Sequence, residues 1–354
     1  MNTPNQSDNT LAPTPTIAVI GAGAMGSQLA HRLYQSGAGP ILTNLEGRSP
    51  MTCKRAVECG MKDASYVDIV CQADYILSVV PPKDALAIAK IVADTVKISD
   101  TQSRKRTKTI FVDCNAINPT TARQMAKLFV ETSATFIDGA IVGGPPSDVY
   151  NPGLYICADP EDDVQLNALE EVLRKYGLQP FTLKGEGAGI GDASAVKMAN
   201  SGIVKGAIAL FTSMILASHA SSPSTSQGLI HSLHISQSTF IDQMIRLVPQ
   251  MTPKAYRFVG EMEEVARFTE DEGLDGVSCI YEGAAQVFQR IADAHNANGK
   301  GMPKSGGPVD CVNRQGEESK PDDIDVILKV IEDAKTLWAR DRGKSWAPTE
   351  PEGR

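Results

Sequence analysis

The chain has 354 residues, long for one core and comfortable for two domains of ordinary size. Hydrophobic residues make up 42% and charged residues 21%, the balance of a water-soluble globular protein, and the net charge of −8 argues against a general nucleic-acid-binding role. The seven cysteines form no Cys-x-x-Cys pair and no histidine stands at zinc-ligand spacing, so no metal site is expected. Free thiols inside apolar runs suit a reducing, cytoplasmic location.

In chain order, residues 1–14 are polar, without a basic start or an apolar stretch, and read as a disordered tail rather than a secretory signal. From 16 to about 182, short β-branched runs predict strands at 17–20, 41–44, 75–80, 109–113, 135–138 and 154–157. Helical patterns such as 25–35 and 121–129 lie between them, and this alternation specifies parallel βαβ units in an open, doubly wound sheet. The basic run Arg104-Lys105-Arg106 is expected to be a solvated loop. Past 182 the strand signal stops, and helices are predicted at 193–217, 226–247, 254–269, 274–295 and 322–340. The expected division is therefore an α/β domain over 15–185 and an all-α domain over 186–342, with a Gly- and Pro-rich mobile loop at 299–321 and a tail at 343–354. The most apolar helix, around 203–217, is too short in its uninterrupted stretch for a membrane span, and no membrane role is expected.

The first strand runs into Gly21-Ala22-Gly23-Ala24-Met25-Gly26 and then an amphipathic helix. Gly21 permits a tight turn, Gly23 lets a pyrophosphate approach the backbone, and Gly26 lets the helix pack on the strand. This strand–loop–helix context makes the segment a dinucleotide site and the domain a Rossmann domain. The second strand ends at Asn44, where an NAD-selecting acid usually stands, and continues Leu45-Glu46-Gly47-Arg48-Ser49. Arg48 and Ser49 suit a 2′-phosphate, so NADP(H) is the expected cofactor; Glu46 argues the other way, and a surface ion pair with Glu46 is the alternative role for Arg48. Val80, Pro81 and Asn115 stand at further strand ends that border the same crevice.

Four segments in order, GAGAMG, VDCNAINPTTA at 112–122, IDGAIVGGPP at 137–146 and GIGDASAVKMANSG at 189–202, resemble the β-hydroxyacid dehydrogenase superfamily. That superfamily includes 6-phosphogluconate and 3-hydroxyisobutyrate dehydrogenases and, more distantly, imine reductases. The PKAYRFVGEMEEVA segment at 253–266 resembles a 6-phosphogluconate-dehydrogenase-like branch whose helical C-terminal domain has no established function. The resemblance implies that Lys197 is the general acid/base, with Asn200 and Ser201 beside it in the catalytic group. Ser194, Lys197, Ser201 and Lys205 recur at helical spacing on one face. It also implies that Val142, Gly143 and Gly144 form the substrate loop. Three positions depart from the family pattern: Ser201 replaces the usual Asn, Ala193 replaces a Gly, and Val142 replaces a carboxylate-binding Ser. Tyr256 and Arg257 are further substrate-binding candidates, as hydrogen-bond donor and anion anchor.

The expected activity is NADP(H)-dependent hydride transfer on a small carbonyl or hydroxy substrate. An NADPH-dependent imine reductase and a non-catalytic NADP-binding protein are the alternatives. The long apolar helix predicts a homodimer, and the resemblance implies that each partner completes the other's active site.

Overall fold

A computed structural model describes residues 14–102, 108–298 and 322–342. The basic run at 104–106, the loop expected at 299–321, the tail at 343–354 and all of the N-terminal tail except Thr14 lie outside the described residues. The described chain divides into two compact units, with the change falling between Met198 and Ala199.

The first unit is an eight-stranded sheet of order β3-β2-β1-β4-β5-β6-β7-β8. Its strands are β1 (Ile17–Ile20), β2 (Ile41–Thr43), β3 (Met61–Asp63), β4 (Tyr75–Ser78), β5 (Ile110–Asp113), β6 (Thr135–Val142), β7 (Gly153–Cys157) and β8 (Gln179–Thr182). The six predicted strands are present, while β3 and β8 had no forecast. Both are edge strands bonded on one side, and Pro180 sits within β8, where a missing N–H is tolerated. The sheet is parallel except at β6–β7, which pair antiparallel, so the chain reverses once between β6 and the final parallel pair β7–β8. That reversal needs only the short connection 143–152 instead of a crossover helix.

Helices α1 (Ala24–Gln35), α2 (Pro50–Glu58), α3 (Tyr66–Gln72), α4 (Pro82–Thr101), α5 (Pro119–Phe129) and α6 (Asp163–Lys175) cover the two faces. In α1, Leu29, Ala30 and Leu33 recur at helical spacing and are buried in the core that contains Ile17, Val19 and Leu77. Each leucine contributes about 1.5–3 kcal/mol by leaving water. On the opposite face Phe111, Phe129 and Phe136 stack together, with Phe111 and Phe129 centroids 5.0 Å apart.

The second unit is helical: the later part of α7 (Asp192–Ser221), then α8 (Pro223–Ser236), α9 (Ser238–Met251), α10 (Ala255–Asp271), α11 (Ser278–Asn298) and α12 (Asp323–Arg342). The single helix expected over 226–247 is two, broken at Gln237, whose φ of −147° and ψ of 58° leave the helical region. Phe258 and Phe288 join α10 to α11 edge-to-face. With 30 residues, α7 is longer than the sequence suggested, and by length and composition alone it could cross a membrane. Its first turn, however, packs on the sheet through Ala193, buried with Ala140 and Cys157.

Candidate active site

Strand order fixes where a ligand can sit. After β1 the chain moves to β2 on one side, and β4 lies on the other, so the crevice between the C-terminal ends of β1 and β4 is the topological switch point. Gly21 lies in this crevice with φ of 111°, and a Cβ there would overlap the Val79 carbonyl oxygen. A Cβ on Gly26 would overlap the Gly21 carbonyl oxygen, so both glycines are required by close packing. Gly23 is different: it is exposed, and nothing lies within 4 Å of where its Cβ would be. It is also the N-cap of α1 and makes no side-chain capping bond. Open space at an uncapped helix N-terminus fits a dinucleotide pyrophosphate. Ala22 is buried behind the loop, Ala24 faces outward, and Met25 packs on the core.

At the end of β2 the structure separates the predicted NADP residues. Asn44 donates its amide to the Ala64 carbonyl (3.1 Å), tying the end of β2 to that of β3. Ser49 is the N-cap of α2 and accepts from Thr52 N, so its hydroxyl has a structural duty. Arg48 and Glu46 are both exposed in the turn made by Gly47, near the Tyr66 hydroxyl. Burial raises the Tyr66 pKa, and Arg48 counteracts this more than Glu46 adds to it. Sequence reasoning missed Arg55, which donates to the Ala22 carbonyl (3.2 Å) and puts a guanidinium beside the glycine loop. Its place on the inward side of a short helix was not visible without the α2 boundaries.

The ends of β4 and β5 are knitted together by Asn115. Its side-chain oxygen accepts from Val80 N (2.7 Å), and its amide donates to Asp113 (2.6 Å) and Ser78 Oγ (3.2 Å). Asn115, predicted to touch the cofactor, therefore spends its hydrogen bonds on holding the loop that carries Val80 and Pro81. Val80 packs against Gly21, and Pro81 with Pro82 opens α4, so the proline pair starts a helix. Burial, followed by the negative charge of Asp138, pushes the Asp113 carboxyl up to about 7. Asn118 caps α5 through its oxygen, while its amide nitrogen is buried without a partner among the described residues. A bound ligand at this edge would supply the acceptor, sparing a cost of about 1–3 kcal/mol.

Asp138 lies beside Asp113 on β6 and anchors the start of α7. It accepts from Gly191 N (3.1 Å), Ser194 N (3.0 Å) and Ser194 Oγ (2.7 Å). Burial raises its pKa, and the Ser194 bonds oppose that rise. The small residues Ala140, Cys157 and Ala193 let α7 lie close on β6 and β7. Ala193, where the family pattern has Gly, is thus a packing residue. The helix then delivers half-buried Lys197 to the end of β6, where its ammonium donates to the Ile141 carbonyl (2.8 Å). The structure so brings Lys197 to the start of the loop Val142–Gly143–Gly144, the segment expected to bind substrate. Gly143 has φ of 129°, and a Cβ there would overlap the Tyr150 hydroxyl, a residue absent from the sequence reading. Nothing in its local pattern marks Tyr150; the β6–β7 reversal brings it back.

In the helical unit, Asn200 is exposed and Ser201 is buried. Ser201 accepts from Lys205 Nζ (3.3 Å), which also pairs with Glu261 and lies over the Phe258 ring. Tyr256 and Arg257 are exposed on α10, and Glu261 is the member of that segment drawn inward. Among the described residues, no cluster of His, Cys, Asp and Glu could hold a metal ion.

The glycine cradle and switch-point crevice correspond to a known domain type. Residues 16–183 match the NAD binding domain of 6-phosphogluconate dehydrogenase. The first unit thus has the fold and glycine loop of an NAD binding domain of the 6-phosphogluconate dehydrogenase type. Residues 220–291 match a domain of unknown function, DUF1932. An uncharacterized 28.5 kDa protein from Methanothermus fervidus is 30% identical over 186 residues, covering 52% of this chain and 63% of that relative. A conserved protein of unknown function, described as structurally similar to 3-hydroxyacid dehydrogenases, has 27% identity and a TM-score of 0.60 over 78% of this chain and 97% of its own. The Mycobacterium tuberculosis 3-hydroxyisobutyrate dehydrogenase shares the fold, with a TM-score of 0.57 and 17% identity over 80% of this chain and 95% of its own.

Proposed function

We propose that this protein is an NADP(H)-dependent dehydrogenase or reductase that uses Lys197 as its general acid/base. The observation that carries the reading is the Lys197 ammonium, anchored 2.8 Å from the Ile141 carbonyl at the mouth of the substrate loop. Gly21, Gly23 and the N-terminus of α1 would hold the pyrophosphate, and the exposed Arg48 would meet the 2′-phosphate, with Arg55 nearby. The nicotinamide, when bound, supplies or accepts the hydride. Lys197 gives a proton to the substrate oxygen in reduction and takes it back in oxidation. The exchange needs a group that is fixed yet within reach of solvent, and the half-buried Lys197 meets both conditions.

The proposal includes a homodimer in which partner helices complete the active sites. Its support is the apolar surface that α7 leaves exposed, with Ile203, Leu210 and Met214 at 74%, 61% and 48%. A panel of small oxo acids, aldehydes and cyclic imines, each run with NADPH and NADH, tests the reading. Turnover of a carbonyl compound with NADPH preferred by tenfold or more is expected. Turnover of imines alone would replace it with the imine reductase alternative.

A further inference from the structure

We propose that Tyr150 is a substrate-binding residue, its phenol supplying the side-chain donor for a substrate carboxylate that the apolar Val142 does not provide. The inference rests on the dehydrogenase reading above and names the chemical class of its substrate, a small oxo or hydroxy acid.

The Tyr150 hydroxyl occupies the space where a side chain at Gly143 would stand, so Gly143 and the phenol form one surface. The segment carrying the ring is fixed from several sides. Ser147 N donates to the Tyr150 carbonyl (2.8 Å), and Tyr150 N returns a bond to Ser147 (3.3 Å). Arg32 on α1 donates to the carbonyls of both residues, and the Asn151 amide donates to Gly177 (2.9 Å). These bonds use backbone groups of Tyr150, and among the described residues its hydroxyl has no hydrogen-bond partner. A donor held in place without an acceptor is preorganised for a ligand.

The surroundings decide the ligand's chemistry. Gly143 and Gly144 present exposed peptide groups, and Gly144 has nothing within 4 Å of its Cβ position. Two residues of extended chain, roughly 6.6 Å, separate the Ile141 carbonyl that holds Lys197 from the glycine that meets Tyr150. That span matches a molecule of three or four carbons with its reacting oxygen at Lys197 and its acid group at the phenol. Peptide N–H groups, a phenol and an ammonium are donors, and a carboxylate is the acceptor-only group that suits them.

Tyr150→Phe removes only the hydroxyl. With an oxo acid that the unmodified protein reduces, the variant is expected to raise KM tenfold or more and change kcat less than threefold. The KM for the matching uncharged amide, and the NADPH affinity, should stay within twofold. An unchanged preference for acid over amide overturns the assignment. Malonate binding, measured by calorimetry with NADP+ present, separates failure of the inference from failure of the dehydrogenase reading. Binding that weakens tenfold or more in Tyr150→Phe upholds the carboxylate site even if no turnover is found. Equal binding in the two proteins, or none in the unmodified one, rejects it.

Discussion

Replacing Asp138 by Ala should detach the start of α7 from the sheet, and the structure sets the size of the effect. The carboxylate is fully buried and accepts four hydrogen bonds, three from the start of α7 (Gly191 N, Ser194 N and Ser194 Oγ) and a weaker one from the Cys157 thiol. Each donor stranded in the interior costs about 1–3 kcal/mol. Relief of the carboxylate's own desolvation, and of its repulsion with Asp113, offsets part of this sum. A net loss of about 3–5 kcal/mol is expected for Asp138→Ala. Ser194→Ala, which removes one hydroxyl donor, should cost about 1 kcal/mol. Asp138→Asn keeps one acceptor and should fall between them at about 2 kcal/mol. Urea denaturation of the three variants at pH 6 gives the ranking. Because the same bonds set where α7 delivers Lys197, Asp138→Asn should lower kcat while leaving the NADPH dissociation constant unchanged. A loss below 1 kcal/mol for Asp138→Ala, or equal losses for Ala and Asn, would refute the assignment of Asp138 as the anchor.

Gly23→Ala should leave stability within about 0.5 kcal/mol, since its Cβ meets nothing and its φ is −70°, yet weaken NADPH binding tenfold or more. Gly26→Ala should fail to fold stably, because its Cβ overlaps the Gly21 carbonyl; thermal melts and NADPH titration distinguish the pair. The Asp113 pKa is raised from 3.8 in the unfolded chain to about 7 in the fold, so its contribution to stability is full below pH 4 and is lost as pH rises through 7. The scale is about 4 kcal/mol at most, read as a falling denaturation midpoint between pH 5 and 8, and Asp113→Asn should flatten that slope. Lys205→Met strands the partly buried Glu261 and should cost about 1–3 kcal/mol, whereas the Lys205→Met, Glu261→Met double variant should recover most of it in a double-mutant cycle.

The cofactor half of the molecule was legible because its signals are local. A glycine loop between a strand and a helix, and β-branched runs between helical patterns, follow from spacing alone. The edge strands were not, since Met61-Lys62-Asp63 and Gln179-Pro180-Phe181-Thr182 show neither a long apolar run nor alternation. Side-chain duties were less visible still. Asn115 and Ser49 are polar residues at strand and helix ends in any reading, and only the fold shows that they brace the scaffold. Tyr150 and Arg55 reach the site through a chain reversal and a helix face, which depend on contacts distant in sequence. The break at Gln237 carries no Gly or Pro signal, so the pattern over 226–247 ran through it.

In the proposed reaction Lys197 moves the substrate proton. The most direct measurement is turnover by Lys197→Met, compared with the unmodified protein on the best carbonyl substrate under NADPH saturation. A kcat lower by about two to four orders of magnitude, the usual scale for a general acid/base, is expected, with NADPH affinity preserved. A kcat within threefold of the unmodified protein, at unchanged NADPH affinity, would contradict it.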